Sequence, residues 1–271
     1  MIHQIINFTD KYPESNIVAY IHSPAEELKI DKRKAIIVCP GGGFAFLSDR
    51  EAEPVALKYF AEGLNVFILN YSLNENAVNF APIIEACLAI KYIREHSDEL
   101  YVNPEFIFIT GFSAGGYVSA AASAMWHIPL VQDAVGNCGE LCRPTASILC
   151  YPVITNKPCR HKLSMLRLNG MVDDESTNRF SVEEYVNEKT VPSFIWHTAN
   201  DNGVPVGNSL IYANKLAEYK IPFELHIFPN GNHGLSLCNK ETWVQNPSHL
   251  NPYCEPWFSL ALNWIDKFPS F

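Results

Sequence analysis

The sequence predicts an α/β protein with a mostly parallel central sheet of about eight strands and helices on both faces. Short apolar runs alternate with longer segments of helical periodicity along the whole chain, which is typical of parallel sheets. The run from Ala35 to Cys39 is apolar throughout, which indicates a strand buried on both faces. The 271 residues are 48% hydrophobic, which is enough for the core of a single domain over residues 1–271.

The strands are predicted from short apolar runs. The first run alternates weakly and is expected at a sheet edge, whereas the later runs are apolar enough to lie inside the sheet. The predicted strands are 17–21, 35–39, 65–70, 106–110, 146–151, 192–197 and 223–228.

The helices are predicted from the longer periodic segments between strands. Gly63 supplies a C-terminal stop for the first helix, and Pro82 fits the first turn of the second. The predicted helices are 54–62, 81–96, 114–126, 208–219 and 257–268.

Segment 155–191 departs from this alternation. It contains Pro158, a polar run at 173–178, and Ser181 followed by Glu184, a pair that resembles a capping box. We expect either a partial lid inserted over the carboxyl edge of the sheet or an ordinary long surface connection.

Charge and composition exclude several classes of partner. The net charge is −9 and no basic stripe is present, so nucleic acids and membrane surfaces are disfavoured. The expected substrate is neutral, or carries its charge away from the reacting centre. The N-terminus does not resemble a secretory signal, and no apolar run approaches the roughly 20 residues that span a bilayer, so a cytoplasmic location is expected.

The eight cysteines are expected to be reduced. Several lie in apolar stretches, where free cysteine is a common small core residue. Cys138 and Cys142 are four residues apart, but no second pair stands at zinc spacing. We therefore expect no metal site and no cofactor.

A Gly-x-Ser-x-Gly motif at Gly111–Gly115 points to nucleophilic catalysis. It follows the predicted strand 106–110 and opens the predicted helix 114–126, as a serine raised on a sharp strand-to-helix turn requires. The partial positive charge of a helix N-terminus would favour a developing anion beside Ser113. The alternative is a tight turn that uses glycine only for packing.

The glycines after strand 35–39 predict an oxyanion hole. An oxyanion needs two or more backbone N–H donors, and glycine keeps side chains out of the way. We take Gly42 and Gly43, together with Ala114, as the expected donors; which glycine points inward is left open. The loop is not a phosphate or dinucleotide loop, because Gly-Lys-Ser/Thr does not follow and position 46 is Phe46.

Asp201 and His233 follow later predicted strands and complete a Ser-Asp-His order. Histidine suits a general base because its pKa lies near neutrality. Asp173 and Asp174 are weaker candidates for the acid because they precede strand 192–197. His197 is expected to pack inside, and no motif surrounds the remaining histidines that we considered, His161, His226 and His249.

Four motifs resemble the acetyl-esterase/lipase branch of the α/β-hydrolases, and most of all bacterial carbohydrate esterases that act on acetyl xylan or other sugar esters. The resemblance runs from about residue 15 to the last helix. It implies Ser113, Asp201 and His233 as the triad and Gly42, Gly43 and Ala114 as the oxyanion hole. The motifs are 40–44, 111–116, 197–205 and 231–235.

Two positions depart from related patterns. The family often has Asp where this chain has Asn200, which would alter the hydrogen bonding of Asp201. Pro40 replaces the histidine of His-Gly-Gly-Gly and distinguishes the chain from hormone-sensitive-lipase-like enzymes.

The expected reaction is two-step acyl transfer on a small-molecule ester, with acetylated sugars as the leading substrate class. Aromatic residues beside the motifs could shape the pocket and stack on a sugar, and equally could be core: Phe44, Phe46, Phe112 and Tyr117. The alternatives are a peptidase or amidase of the same fold, or a non-catalytic binding protein on a hydrolase scaffold. A homodimer is left open.

Overall fold

The computed structural model describes residues 1–174, 176 and 178–268. Glu175 and Thr177, which fall in the predicted polar run and in segment 155–191, lie outside the described residues, as do residues 269–271. The described strands are β1 (Ile2–Ile6), β2 (Asn16–Ile21), β3 (Arg33–Cys39), β4 (Asn65–Asn70), β5 (Val102–Phe112), β6 (Ser147–Cys150), β7 (Ser193–Thr198) and β8 (Phe223–Phe228).

These strands form one sheet in the order β1-β2-β4-β3-β5-β6-β7-β8. The pairs β1–β2 and β2–β4 are antiparallel, and every later pair is parallel. The predicted mostly parallel sheet is therefore confirmed. The carboxyl ends of the parallel strands lie along one edge, where ligands bind in sheets of this kind.

Helices connect the strands and cover both faces. They are α1 (Glu53–Ala61), α2 (Ala81–Glu95), α3 (Ala114–Met125), α4 (Pro129–Ala134), α5 (Lys162–Leu168), α6 (Gly207–Glu218) and α7 (Trp257–Asp266). Short 3₁₀-helices lie at Asp49–Glu51, Asn74–Asn76, Gly139–Cys142, Val182–Tyr185 and Pro247–His249. None of the described helices combines the length and the apolar composition needed to cross a membrane.

Strand β3 shows how the sheet serves two cores at once. Its residues from Ala35 onward are fully buried. Side chains of a strand alternate between its two faces, so Ile37 packs in the cluster that contains α2 and α3. Its neighbour Ile36 packs in the opposite cluster, with α1 and α7. This two-sided burial explains why the predicted strand is apolar without alternation.

The structure adds elements that the sequence did not predict. Strand β1 pairs along the sheet edge, and the short helices α4 and α5 lie in connections. The expected capping box is wrong: Ser181 precedes a 3₁₀-helix without capping it. Its hydroxyl instead accepts a hydrogen bond from the Asn156 N–H at 3.0 Å, while Glu184 pairs with Lys157.

Candidate active site

Four loops at the carboxyl edge of the sheet bring the chemical residues together. Segment 40–43 follows β3, Ser113 follows β5, Asp201 follows β7 and His233 follows β8. These strands are parallel, so residues far apart in the chain leave the sheet at the same edge.

Ser113 stands on a sharp turn between β5 and α3. Its backbone has φ 53° and ψ −114°, a conformation that L-residues rarely adopt. The flanking glycines allow this turn because there is no room for a side chain at either position. A Cβ at Gly111 would lie 2.0 Å from the Gly115 carbonyl oxygen, and one at Gly115 would lie 2.0 Å from the carbonyl oxygen of Cys39.

A chain of hydrogen bonds links three side chains from three loops. The Oγ of Ser113 lies 2.7 Å from Nε2 of His233. The Nδ1 of the same imidazole lies 2.8 Å from Oδ2 of Asp201. A hydroxyl, an imidazole and a carboxylate in this arrangement can pass a proton from the hydroxyl to the ring while the carboxylate holds the ring.

The carboxylate of Asp201 is held in place from several directions. Its Oδ1 accepts hydrogen bonds from the N–H groups of Gly203 and Val204, each at 2.8 Å. Its Oδ2 also lies 3.3 Å from Nε2 of the buried His197. Burial alone would raise the pKa of Asp201, but the hydrogen bonds from His197 and His233 hold that pKa well below its usual range. The carboxylate is therefore ionised at neutral pH.

Segment 40–43 after β3, the glycine loop, presents backbone donors beside Ser113. Gly42 has φ 126° and Gly43 has φ 62°, which favour glycine. Among the described residues, the structure records no acceptor for the N–H groups of Gly42, Gly43 or Ala114. These groups are available to a developing oxyanion. The carbonyl of Gly43 accepts a hydrogen bond from Arg167 at 3.0 Å, which ties this loop to α5.

A cleft of about 640 Å³ opens over Ser113 and His233. Segment 155–191 supplies one side of it. Its His161 and Arg167 were not expected at the site because no local motif surrounds them. Burial lowers the pKa of His161, and the nearby His233 and Arg167 lower it further. The cleft is lined by Gly42, Gly43, Ala45, Phe46, Leu47, Ser48, Asp49, Arg50, Glu51, Ser113, His161, Leu163, Arg167, His233, Gly234 and Val244.

The predicted substrate contacts of Phe44, Phe112 and Tyr117 are wrong. All three side chains are fully buried. Phe44 packs edge-to-face on Tyr117 at 5.9 Å, and Phe112 packs against core aromatics on the other face of the sheet. Phe46, 60% exposed, is the aromatic residue that lines the cleft. Aromatic residues beside a glycine motif can serve either role, and the motif alone does not distinguish a core ring from one that faces the cleft.

The other acid and metal candidates lie elsewhere. Asp173 forms ion pairs with Arg160 and Lys162, and not with His233. All eight cysteines are free thiols. Within the described part of the chain, no cluster of His, Cys, Asp or Glu side chains could hold a metal ion.

Asparagines around Asp201 join the acid and base loops. Asn200 accepts a hydrogen bond from the Gly231 N–H at 2.8 Å, and Asn202 accepts one from the His233 N–H at 3.1 Å. The Asn200 side chain therefore contacts the loop that carries His233 and not the Asp201 carboxylate.

Two family models match the sequence. One, described as the prolyl oligopeptidase family, covers residues 88–248, which contain Ser113, Asp201 and His233. The other, described as BD-FAE, covers residues 16–140, which contain the glycine loop and Ser113.

Individual relatives are similar over most of this chain. Endo-1,4-beta-xylanase B of Butyrivibrio fibrisolvens is 35% identical over 231 residues, which are 83% of this chain and 35% of the relative. The chain spans about half or less of the length of the curated relatives it matches.

Solved structures match over nearly their full length. MGS-M1, an α/β-hydrolase enzyme from a deep-sea metagenome library, is 31% identical with a TM-score of 0.81, covering 98% of this chain and 97% of that one. An acetyl ester-xyloside bifunctional hydrolase from Caldicellulosiruptor lactoaceticus is 34% identical with a TM-score of 0.79, covering 94% and 88%.

Proposed function

The chain belongs to the α/β-hydrolase family, and we propose that it hydrolyses carboxylic esters with Ser113 as nucleophile, His233 as general base and Asp201 as the acid that orients the base. One observation carries the proposal: Ser113 Oγ, the His233 ring and the Asp201 carboxylate form a continuous hydrogen-bonded chain at the floor of an open cleft. Its separations of 2.7 and 2.8 Å suit proton transfer without further rearrangement.

In the acylation step, Ser113 Oγ attacks the ester carbonyl carbon as its proton moves to His233 Nε2. The carbonyl oxygen becomes an anion and accepts hydrogen bonds from the N–H groups of Ala114 and of Gly42 or Gly43. The carbon–oxygen bond to the alcohol then breaks, and the imidazolium gives its proton to the departing oxygen. Asp201 stabilises the imidazolium throughout.

In the deacylation step, water attacks the acyl-serine and His233 again accepts a proton. The carboxylic acid leaves and Ser113 regains its proton from the imidazolium. The two steps together convert an ester and water into an alcohol and a carboxylic acid, and they need no cofactor.

The acyl group is short, with acetyl the leading candidate, and the alcohol is a sugar. Fully buried Phe44 and Tyr117 fill the interior behind the glycine loop, which favours a small acyl group. The exposed ring of Phe46 offers the cleft an apolar face on which a sugar ring could stack. The similarity to an acetyl ester-xyloside hydrolase supports the same class.

The reaction takes place in a reducing compartment, the cytoplasm. Six of the eight cysteines are buried as free thiols, as is usual for cytoplasmic proteins.

Hydrolysis of p-nitrophenyl acetate by the Ser113→Ala variant tests the proposal. We expect kcat/KM to fall by roughly four to six orders of magnitude, because the nucleophile is lost while the fold is retained. Ser123→Ala is the matched control. Ser123 is a buried serine on α3, the helix that follows Ser113, and its hydroxyl donates to the Ser119 carbonyl, so its loss should change activity less than about twofold. Full turnover by folded Ser113→Ala would refute the assignment.

A peptidase or amidase is the second candidate, because the prolyl oligopeptidase family model covers all three proposed catalytic residues. Two substrates with the same acetyl group, p-nitrophenyl acetate and acetyl p-nitroanilide, distinguish an esterase from an amidase. We expect turnover of the ester alone. Efficient cleavage of the anilide would favour the amidase, and failure of a fluorophosphonate to label Ser113 would favour a non-catalytic binding protein.

A further inference from the structure

The buried carboxylate of Glu51 stands directly behind the glycine loop. Glu51 ends the 3₁₀-helix Asp49–Glu51 and is 3% exposed. Its Oε2 accepts a hydrogen bond from the Gly41 N–H at 2.9 Å, and its Oε1 accepts one from the Tyr151 hydroxyl at 2.6 Å. Both donors are neutral, and holding a carboxylate in the interior on neutral donors costs folding free energy. An apolar residue would avoid that cost but could not hold the two donors.

The hydroxyl of Tyr151 continues the link toward His233. Tyr151 follows β6, is 2% exposed, and its Oη accepts a hydrogen bond from the Ser236 N–H at 2.8 Å. Ser236 lies three residues beyond His233 in the same loop. Burial, and next the charge of Glu51, raise the pKa of Tyr151 well above its usual range. The phenol is therefore neutral, so it donates to Glu51 and accepts from Ser236 simultaneously.

Both ends of this link touch the reacting groups. A Cβ at Gly41 would lie only 3.1 Å from the Cβ of Ser113, so the glycine loop rests against the nucleophile. At the other end, the Tyr151 ring packs edge-on against the His233 ring, with centroids 5.1 Å apart and planes at 73°.

Two further hydrogen bonds join the same loops. The Ser236 hydroxyl donates to the Arg50 carbonyl at 2.6 Å, and the Arg50 guanidinium donates to the Gly234 carbonyl at 2.8 Å. Arg50, in the loop that precedes α1, is thus bonded to the loop that carries His233 at two points, Gly234 and Ser236.

We propose that Glu51 and Tyr151 are positioning residues whose hydrogen-bonded link, from the Gly41 N–H to the Ser236 N–H, sets the separation between the oxyanion-binding loop and the base. The inference rests on the proposed ester hydrolysis. It adds that the oxyanion donors and the imidazole are held in register by the carboxylate of Glu51, which is almost fully buried at the margin of the cleft, and by the buried phenol of Tyr151. A displacement of about 1 Å between such groups can cost on the order of a hundredfold in rate.

The Tyr151→Phe variant deletes the link and keeps the ring against His233. We expect kcat for p-nitrophenyl acetate to fall about 10- to 100-fold while KM changes less than about threefold, because only transition-state geometry is disturbed. Tyr59→Phe is the matched control. Tyr59 is also fully buried, but it packs on Phe258 at 4.6 Å and not on the site. Its kcat should stay within about twofold of the wild type.

Glu51→Gln tests the other half of the link and covers the case in which Tyr151→Phe does not fold. The single carbonyl oxygen of glutamine can accept the hydrogen bond from the Gly41 N–H. Its NH2 group then faces Tyr151 and cannot accept the bond that the phenol hydroxyl donates. We expect a similar fall in kcat. Since the two residues act as one unit, the double variant should lose no more than about the larger single loss.

Two readouts separate positioning from a merely structural role. Rates are expressed per active site after titration with a fluorophosphonate, and the rate of phosphonylation of Ser113 should fall in step with kcat. The proposal is overturned if folded Tyr151→Phe or Glu51→Gln keeps kcat within about twofold of the wild type, or if only KM or thermal stability changes. The proposed function would still stand after that result, provided that the wild type hydrolyses the ester and the Ser113→Ala variant does not.

Discussion

At the scale of single residues, Asp201 shows how the fold keeps a carboxylate ionised beside the base His233. Four nitrogen atoms surround its carboxylate, two from the backbone and two from histidine rings. Its pKa is lowered, so its contribution to stability is present above the ordinary pKa of aspartate and is lost only as the pH falls through the lower folded value. At any pH where the enzyme is folded and His233 can act as a base, Asp201 is negatively charged.

Asp201→Asn should therefore lower kcat for p-nitrophenyl acetate by roughly 10⁴, with little change in KM. The amide can donate to Nδ1 of His233, which puts the ring proton on Nε2 and prevents it from accepting the Ser113 proton. Steady-state kinetics checks this. Asp173→Asn is the control, because Asp173 pairs with Arg160 and Lys162 and should change kcat less than about twofold. A kcat for Asp201→Asn within tenfold of the wild type would contradict the role of Asp201.

At the scale of elements, helix α5 turns segment 155–191 into a wall of the cleft. Leu163 at its start is 53% exposed and lines the cleft, while Arg167 near its end bonds the carbonyl of Gly43. We infer that this wall contacts the alcohol part of the substrate rather than the reacting carbonyl.

Leu163→Ala should raise KM for an acetylated disaccharide by about three- to tenfold and leave kcat unchanged. The loss corresponds to about 1 kcal/mol of apolar contact made equally in the ground and transition states. Leu28→Ala is the matched control, because Leu28 is 65% exposed and does not line the cleft. Equal KM values for the two variants would show that α5 does not contact the substrate.

At the scale of the whole molecule, a buried acid outside the active site, Glu85, makes the free energy of unfolding depend on pH. Glu85 on α2 is fully buried and accepts hydrogen bonds from the backbone N–H and the hydroxyl of Ser72, in the loop after β4. Burial raises the pKa of Glu85 to about 6, against an opposing effect of the Ser72 hydrogen bonds. The group binds its proton more tightly in the folded state, so its contribution to stability falls as the pH rises from 4.5 to about 6.

Urea unfolding of wild type and Glu85→Gln between pH 4 and 7 checks this. The neutral amide does not titrate, so the free energy of unfolding of the variant minus that of the wild type should rise by about 2 kcal/mol across that window and then level off. Glu95→Gln, an exposed change on the same helix, should give a flat difference. A flat difference for Glu85→Gln as well would show that Glu85 titrates alike in both states.

Much of the fold could be predicted because the inner parallel strands, such as β3, β4 and β6, are buried on both faces and so carry apolar runs. Strand β1 could not, since four of its five residues are exposed at the sheet edge and show no such pattern. Helix α5 was hidden in a polar segment because it is short, and tertiary contacts rather than its own periodicity hold it.

In the candidate site, too, some residues could be predicted from the sequence and others could not. The proposed nucleophile, acid and base could be located because each stands beside local turn residues directly after a strand. Glu51 and Tyr151 could not, because they are 100 residues apart and meet only through the sheet. The role of Phe44 depends on which way its loop turns. Its strained backbone, with φ 62°, sends the ring into the core, where it packs on Tyr117 of α3.

The most direct test of the account is to find the acyl group on the enzyme. Wild type and Ser113→Ala are quenched with acid during incubation with p-nitrophenyl acetate, and the peptides are mapped by mass spectrometry. The account predicts one acetyl group on the peptide that contains Ser113, and none at that position in Ser113→Ala. Ester turnover with no acetyl group on Ser113, or with the acetyl group on another residue, would contradict it.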